Sequence, residues 1–476
     1  MFEQPRFYRE AWIPIAAGFA FFAYSTGLGF IGWTMSLLLG SLLLASGMAE
    51  LLWPGDRRIH QFAALAGAIG TVFGLLGVVS LGIGSALLLG ALSAASFVAA
   101  GHLSVRQEPH AEEVPEPVPT LSLAAKVALD DAILATMQVG VGMPRGDDQV
   151  RIRHEVAQAR ELFEARGWLE KPADYHPLPP PLEAPRIAPA RVRSISYERL
   201  AFESGYEPHP EEPGRERWLA RRANRTAHAW IVRDGDEPRP WLVGIHGYQM
   251  GKPRVDLLAF RPEWLHRRLG FNLAIPTLPL HGPRTVGRRS GDGFLIGDVL
   301  DTVHAEAQAM WDIRRLLGWI RAQGAPAIAV YGLSLGGYNT ALLASLEAEL
   351  DCAIAGIPAT DFTSLAWLHA PPLQLRYAEH LGMSVDTNRE VMGVVSPLVL
   401  EPRIPHDRRF LFAGVSDRLV PPVQVRDLWR HWERPKIVWY QGGHLTFRAD
   451  ARVIALIEDA LRAAAGGAAR AAAAPA

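Results

Sequence analysis

Cysteine is nearly absent from this 476-residue chain, and neither sign of charge is in excess. The single cysteine, Cys352, excludes an internal disulfide framework and a cysteine-rich zinc site. Because 48 Lys and Arg residues balance 49 Asp and Glu residues, electrostatics give no reason to expect a nucleic-acid partner. A hydrophobic content of 49% argues against a disordered chain.

Charge is also missing from two long stretches near the N-terminus. Residues 11–53 contain a single charged residue, Glu50, and residues 61–101 contain none. A single helix over the first stretch would be about 64 Å long, roughly twice the ~30 Å hydrocarbon core of a bilayer. Each stretch therefore predicts two membrane spans joined by a turn. The predicted transmembrane region, residues 1–106, has four helices at about 11–31, 33–53, 62–80 and 83–101.

Basic residues around these spans indicate the orientation. Four spans place Arg6, Arg9, Arg57, Arg58 and Arg106 on one side of the bilayer, as the positive-inside rule requires. We therefore expect a multi-pass protein of the inner, cytoplasmic membrane whose C-terminal part faces the cytoplasm. A soluble helical bundle is disfavoured because these helices have no polar face.

The rest of the chain divides by composition. Residues 107–120 predict an acidic, proline-rich linker, and residues 121–189 a helical and proline-rich connector. From 190 to 462, short β-branched runs alternate with longer helical patterns, which predicts an α/β domain with a mostly parallel sheet and helices on both faces. The Ala/Gly-rich residues 463–476 predict a disordered tail. Whether residues 362–395 form a lid stays open.

A nucleophile motif follows one of the predicted strands. Residues 327–331 run directly into Gly332-Leu333-Ser334-Leu335-Gly336, and an apolar helical pattern follows. Gly-x-Ser-x-Gly between a strand and a helix is typical of a nucleophile elbow, with Ser334 as the nucleophile. The flanking glycines leave room for the sharp turn that this motif needs.

An acid and a base are expected later in the chain, because a serine hydroxyl is a poor nucleophile by itself. Asp417 follows the predicted strand 409–413, and His444 follows the predicted strand 436–440. Their order after the serine is the one that the elbow motif requires. Asp361, after an earlier strand, is the rival to Asp417 as the acid.

Further residues are candidates for binding. The backbone N–H groups of Leu335 and Tyr248 are the expected oxyanion hole, and His246 is expected to be structural. Arg284 is a candidate for binding an anionic group of the substrate, with a solvated loop as the alternative. His304 with Asp298 and Asp301 lacks the spacing of a zinc helix, so no metal site is predicted.

Residues 240–460 resemble the α/β-hydrolase superfamily in His246-Gly247, the Ser334 elbow, Asp417 and Gly443-His444. Residues 190–450 are also similar to a branch of abhydrolase-domain proteins, through Leu280-His281-Gly282-Pro283-Arg284 and Ser290-Gly291. This resemblance covers a little over half of the chain. It implies an α/β-hydrolase fold and serine-dependent ester hydrolysis without a metal or an organic cofactor.

Together these patterns predict a membrane-anchored serine hydrolase that cleaves carboxylic esters through Ser334, Asp417 and His444. Since the domain is expected to be tethered beside a bilayer, we favour a hydrophobic ester, such as a membrane lipid, over a small soluble ester as the substrate. An acyltransferase, a thioesterase or a peptidase on the same triad remains an alternative, as does a non-catalytic membrane scaffold. Transport by the spans is disfavoured because only Glu50, near a span end, is charged.

Overall fold

The computed structural model describes residues 8–26, 28–140, 144, 146–235, 238–295 and 297–473. Arg6, used above to orient the spans, lies outside the described residues. The α-helices are α1 Trp12–Tyr24, α2 Phe30–Leu52, α3 Arg57–Leu76, α4 Val78–Leu81, α5 Ile83–Gln107, α6 Leu121–Gly140, α7 Asp147–Ala165, α8 Arg215–Leu219, α9 Pro253–Phe260, α10 Val299–Ala322, α11 Leu335–Leu346, α12 Phe362–His369, α13 Pro372–His380, α14 Val385–Met392, α15 Pro422–His431 and α16 Ala451–Ala473. The β-strands are β1 Arg186–Val192, β2 Ile195–Glu203, β3 Thr226–Val232, β4 Trp241–Ile245, β5 Asn272–Thr277, β6 Ile328–Leu333, β7 Cys352–Gly356, β8 Arg409–Gly414 and β9 Lys436–Tyr440.

The chain forms two compact units. The helical unit comprises Met1–Val141, Gly414–Val423 and Trp439–Asp450. The sheet unit comprises Gly142–Ala413, Gln424–Val438 and Ala451–Ala476. The loops after β8 and β9 therefore belong with the N-terminal helices.

Among the described residues of the helical unit, three helices are long and apolar enough to cross a membrane, namely α2, α3 and α5. The predicted first span, 11–31, is wrong in length, because α1 ends at Tyr24 after 13 residues. Such a helix rises about 20 Å, which is less than a ~30 Å hydrocarbon core. The break falls before Gly29, earlier than expected, and Gly29 then precedes α2. In the described part of this region the predicted spans correspond to α1, α2, α3 with the short α4, and α5, and of these helices α2, α3 and α5 reach spanning length.

Small residues bring α3 and α5 close together. A Cβ added to Gly67 would lie 2.7 Å from Phe97 N, and one added to Gly74 would lie 2.7 Å from Gly90 N. Close backbone approach through small residues is typical of helix packing in lipid. Large apolar side chains also point outward, including Leu76 at 79% exposure and Val79 at 96%.

A nine-stranded sheet forms the core of the sheet unit, in the order β1-β2-β3-β5-β4-β6-β7-β8-β9. The pairs β1–β2, β2–β3 and β3–β5 are antiparallel, whereas β4–β5, β4–β6, β6–β7 and β7–β8 are parallel. Strands β4, β6 and β7 are buried along their full length, as their continuous apolar runs predict. The predicted α/β class with a mostly parallel sheet is confirmed.

Two segments without predicted regular structure are helical. Helix α16 continues to Ala473, where we predicted a disordered tail from residue 463. Alanine has the highest helix propensity, so an alanine-rich end extends a helix that the sheet unit has already begun. Residues 362–395 contain α12, α13 and α14.

Candidate active site

Ser334 lies in the turn between β6 and α11, in the sheet unit. Its φ of 59° and ψ of −115° place a non-glycine residue in a region that L-amino acids rarely occupy. The Ser334 N–H donates to Gly356 O at 2.9 Å, and the Ser334 carbonyl accepts from Tyr338 N–H at 3.0 Å. These bonds from neighbouring elements hold the strained turn, which leaves the serine partly exposed at the end of its strand.

Glycines make this turn possible. A Cβ on Gly332 would overlap the carbonyl of Gly336, and a Cβ on Gly336 would overlap the carbonyl of Ile245. Strands β4 and β6 pair from Trp241 opposite Ile328 to Ile245 opposite Gly332, which brings the end of β4 beside the elbow.

The loop after β4 passes next to Ser334. A Cβ added to Gly247 would lie 3.6 Å from Ser334 Cβ. Leu335 is the first residue of α11, so its N–H is one of the amides without a partner inside the helix. Tyr248 follows Gly247, with its ring edge-on to His281 at a centroid distance of 5.9 Å. An oxyanion hole made by the Tyr248 and Leu335 N–H groups stays a prediction.

His246 is buried and fixes this loop. Its Nε2 accepts the Leu278 N–H at 3.1 Å, and its Nδ1 lies 2.8 Å from Gly247 O. Burial lowers the pKa of His246, which agrees with a neutral ring that donates at one nitrogen and accepts at the other. Both ring nitrogens are thus engaged with backbone, and His246 is structural as expected.

Asp417 and His444 meet in the helical unit. Asp417 Oδ2 lies 2.6 Å from His444 Nδ1, and both residues are 4% exposed. Asp417 Oδ1 accepts the N–H groups of Leu419 at 3.0 Å and Val420 at 2.9 Å. Burial by itself lowers the pKa of His444, but the charge of Asp417, the hydrogen bond to Asp417 and the charge of Asp130 together outweigh burial, and the pKa is raised. This arrangement orients the ring and stabilises its protonated form.

The rival acid, Asp361, has another role. Its side chain caps α12 by accepting the Ser364 N–H at 2.9 Å, and it forms an ion pair with Arg389 at 3.1 Å. The structure thus pairs His444 with Asp417, while Asp361 caps the start of helix α12 in the sheet unit. Ser334 belongs to the sheet unit and His444 to the helical unit, and a functional pairing of the two stays a prediction.

The interpretation of Arg284 as a substrate-binding residue needs correction. Its side chain is fully buried, and its guanidinium bonds to Thr277 O at 3.1 Å and Asn224 O at 3.0 Å. An ion pair with Asp312 at 2.8 Å neutralises it. We predicted that the Arg284 side chain lies in a loop near the incoming substrate. Instead it is buried against the carboxylate of Asp312 on α10.

Two adjacent carboxylates on α6 were missed from the sequence. Asp130 Oδ2 accepts the backbone N–H groups of His444 at 2.7 Å and Arg418 at 3.2 Å. Asp131 accepts from Arg418 Nε at 3.1 Å and from Ser104 Oγ at 2.5 Å. Burial, followed by the Asp417 charge, raises the pKa of Asp130 to about 8. The available signal was a pair of acids within an otherwise apolar helical pattern.

Metal ligands are not clustered in the described part of the chain. Within residues 8–473, excluding the gaps named above, no three His, Cys, Asp or Glu side chains converge as a metal ion would require. His304, which the sequence analysis considered as a possible zinc ligand, has its Nε2 atom 3.1 Å from the backbone oxygen of Pro213.

Comparisons with known proteins identify close relatives. No family model matches the chain. Two proteins of Mycobacterium tuberculosis are each 43% identical over 352 residues, which is 74% of this chain and 84% of the relative: uncharacterized protein MT2702 of strain CDC 1551 / Oshkosh, and uncharacterized protein Rv2627c of strain ATCC 25618 / H37Rv.

Solved structures are similar at a lower level. Acetyl xylan esterase 1 from Thermoanaerobacterium sp. JW/SL YS485 is 16% identical, covering 62% of this chain and 93% of its own, with a TM-score of 0.44. Acetyl xylan esterase from Paenibacillus sp. R4 is 17% identical, covering 61% of this chain and 91% of its own, with a TM-score of 0.42.

Proposed function

This chain belongs to the family of the two Mycobacterium tuberculosis proteins, and we propose that it is a membrane-anchored serine hydrolase of carboxylic esters. The observation that carries the proposal is that one chain contains both a strained serine elbow, in the sheet unit, and a buried acid–histidine pair, in the helical unit. Ser334 has a φ of 59°, and His444 Nδ1 lies 2.6 Å from Asp417 Oδ2. A strained serine and an oriented imidazole are what acyl transfer by an α/β-hydrolase needs.

The proposed reaction has two stages. Ser334 Oγ attacks the ester carbonyl while His444 Nε2 takes its proton, and the tetrahedral intermediate collapses as His444 returns that proton to the leaving alcohol. Water then attacks the acyl-enzyme, with His444 again as the base, and the carboxylic acid leaves as the Ser334 hydroxyl is restored. Asp417 orients the ring throughout.

The oxyanion forms next to the elbow. The N–H of Leu335 at the start of α11 and the N–H of Tyr248 in the loop after β4 are the proposed donors. Each donor of this kind is typically worth about 2.7–4 kcal/mol of the barrier. No metal or organic cofactor takes part in the proposed steps.

The substrate is proposed to be a hydrophobic ester, such as a membrane lipid. Helices α2, α3 and α5 are long and apolar enough to span a bilayer, which would keep the enzyme at the surface where such esters lie. On the arginine pattern, the enzyme would reside in the cytoplasmic membrane with its catalytic part on the cytoplasmic side.

An apolar cavity in the sheet unit supports this substrate class. It is partly open to solvent, and Phe362, Trp367, Leu375 and Met392 are among its lining residues. Phe362 stacks on Tyr338 at a centroid distance of 4.0 Å, so the cavity begins beside the helix that follows the elbow. Apolar lining with few polar groups fits an acyl chain.

A fluorophosphonate probe tests the catalytic proposal on the full chain in detergent micelles. We expect the wild type to be labelled, and Ser334→Ala, with an unchanged melting temperature, not to be. Folded wild-type protein that takes up no label would contradict catalysis and favour a scaffold.

Esters of graded chain length test the substrate. The proposal predicts that kcat/KM rises from acetyl to long-chain esters presented in mixed micelles. An enzyme that cleaves short soluble esters well and lipid esters not at all would disprove the lipid assignment while leaving the hydrolase intact.

A further inference from the structure

The loops that carry Asp417 and His444 are held by a carboxylate from helix α6. We propose that Asp130 is a positioning residue of the acid–histidine pair, fixing the backbone at both residues so that the imidazole meets its carboxylate partner. This inference rests on the proposed function, because it assigns a role relative to that catalytic pair.

One oxygen atom of Asp130 contacts both loops. Oδ2 accepts the N–H of His444 at 2.7 Å and the N–H of Arg418, the residue after Asp417, at 3.2 Å. A single acceptor therefore ties together two backbone segments whose side chains must meet. Since each N–H is next to or part of a catalytic residue, movement of Asp130 would shift the imidazole and the acid relative to each other.

The loop sequence is fitted to this carboxylate. A Cβ on Gly443, the residue before His444, would overlap the Asp130 carboxylate. Only glycine at this position allows the loop to approach α6 closely enough for the His444 N–H to reach Oδ2. Gly443 is thus explained by Asp130 as well as by the turn.

Helix α6 is itself anchored at several points of the helical unit. Asp131 bonds to the Arg418 side chain at 3.1 Å and to Ser104 of the apolar helix α5 at 2.5 Å. Lys126 Nζ donates to Gln441 O at 3.0 Å, just after β9. These contacts make α6 a rigid support for both loops, and rigid supports are what precise catalytic geometry needs.

Stability alone accounts poorly for a carboxylate at this position. Asp130 is fully buried, and among the described residues its Oδ1 has no hydrogen-bond partner. A buried polar atom without a partner is unfavourable for folding. The two bonds at Oδ2 are directed to the catalytic loops, which is where the benefit of the residue lies.

Charge is not essential to this role at neutral pH. Burial, followed by the Asp417 charge, raises the pKa of Asp130, which favours its neutral carboxyl form. An asparagine has the same shape and retains an oxygen that can accept both N–H groups. Asp130→Asn is therefore the conservative variant that separates positioning from charge.

The test measures fluorophosphonate labelling rate, kcat and KM at pH 7 for the full chain, with the melting temperature of each variant. We expect Asp130→Ala to lower kcat and the labelling rate about 100-fold, as a misplacement of about 1 Å does, with KM changed less than about 2-fold. Asp130→Asn should recover activity to within about 5-fold of the wild type.

Asp312→Asn is the matched control, because it alters a buried carboxylate of the sheet unit that bonds to Ser204 Oγ at 2.6 Å. It should lower the melting temperature without lowering the labelling rate. If Asp130→Ala does not fold, Gly443→Ala replaces it, since its methyl group would displace the Asp130 carboxylate, and it should lower kcat with KM retained.

Three results would overturn the inference. If the wild type is labelled and Asp130→Ala or Gly443→Ala has an unchanged kcat, Asp130 is not a positioning residue, and the proposed function still stands. Asp130→Asn as inactive as Asp130→Ala would also remove it, because shape and acceptor are then insufficient. A wild type that is not labelled at all would remove the proposed function and this inference together.

Discussion

Replacing Asp417 by asparagine removes the charge beside His444 and keeps the shape of the side chain. In the structure, Oδ2 of Asp417 lies 2.6 Å from His444 Nδ1, while Oδ1 accepts two backbone N–H groups. Asparagine can satisfy those two N–H groups with its carbonyl oxygen. Its amide N–H₂ then faces Nδ1, which favours the tautomer whose Nε2 carries the proton and cannot accept one from Ser334.

The expected loss follows from the burial of the pair. Both residues are 4% exposed, so solvent screens their attraction little. Opposite charges about 4 Å apart interact by about 4 kcal/mol at an effective dielectric constant near 20, before desolvation is subtracted. With the wrong tautomer added, we expect kcat to fall about 10³- to 10⁴-fold, which corresponds to ~4–5.5 kcal/mol of barrier.

The assay is kcat/KM for an ester from pH 5 to 9, alongside the fluorophosphonate labelling rate. Because Asp417 raises the pKa of His444, the acidic limb of the wild-type profile should lie above the ordinary histidine value, and it should move to lower pH in Asp417→Asn. Because the pKa of His444 is higher in the folded chain than in the unfolded chain, the pair stabilises the fold fully at pH values below the pKa of His444 in the unfolded chain. This stabilisation is lost as the pH rises through the pKa of His444 in the folded chain.

Asp361→Asn is the control, because Asp361 caps α12 and pairs with Arg389. Asparagine is as good an N-cap as aspartate, so the variant loses only the ion pair with Arg389; it should cost less than about 1 kcal/mol of stability and leave kcat nearly unchanged. An Asp417→Asn variant within 10-fold of wild-type kcat, or an Asp361→Asn variant that loses as much, would refute the assignment of the acid.

Three further predictions concern the sheet unit. Gly336→Ala places a methyl group on the carbonyl of Ile245, so it should lower stability by about 3 kcal/mol in thermal unfolding; an unchanged melting temperature would contradict the elbow packing. Arg284→Ala leaves Asp312 buried without its ion-pair partner, so denaturant unfolding should show a free energy of unfolding lower by about 3–5 kcal/mol. The preference between anionic and neutral esters should not change, and a changed preference would restore a role for Arg284 in substrate binding. Ala366→Trp should fill the apolar cavity and lower kcat/KM for long-chain esters about 10-fold or more, with little change for acetyl esters. An equal loss of kcat/KM for both kinds of ester would place the acyl chain outside this cavity.

Local patterns predicted the elbow and the acid–histidine pair. The Gly-x-Ser-x-Gly motif between a strand and a helix needs only neighbouring residues, and the structure shows the expected turn at Ser334. Asp417 and His444 could be selected because each follows a strand pattern, and the structure pairs them. The choice between Asp417 and Asp361 required coordinates, since both follow strands.

Long-range contacts could not be predicted in the same way. Asp130 meets His444 across 314 residues, and nothing in the α6 pattern indicates which backbone it will reach. Arg284 forms an ion pair with Asp312 on α10 and is therefore buried, although the sequence places it in a loop that was predicted to be accessible. The length of α1 depends on where the turn before Gly29 begins, and an uncharged sequence with several glycines does not determine that position.

We propose that Ser334 of the sheet unit and His444 of the helical unit act together in catalysis. Mapping the fluorophosphonate adduct by mass spectrometry in the wild type and in His444→Ala tests it directly. The account predicts an adduct on Ser334 whose rate of formation falls at least about 1,000-fold in His444→Ala. An adduct on a different residue, or a Ser334 adduct that forms at the wild-type rate without His444, would contradict it.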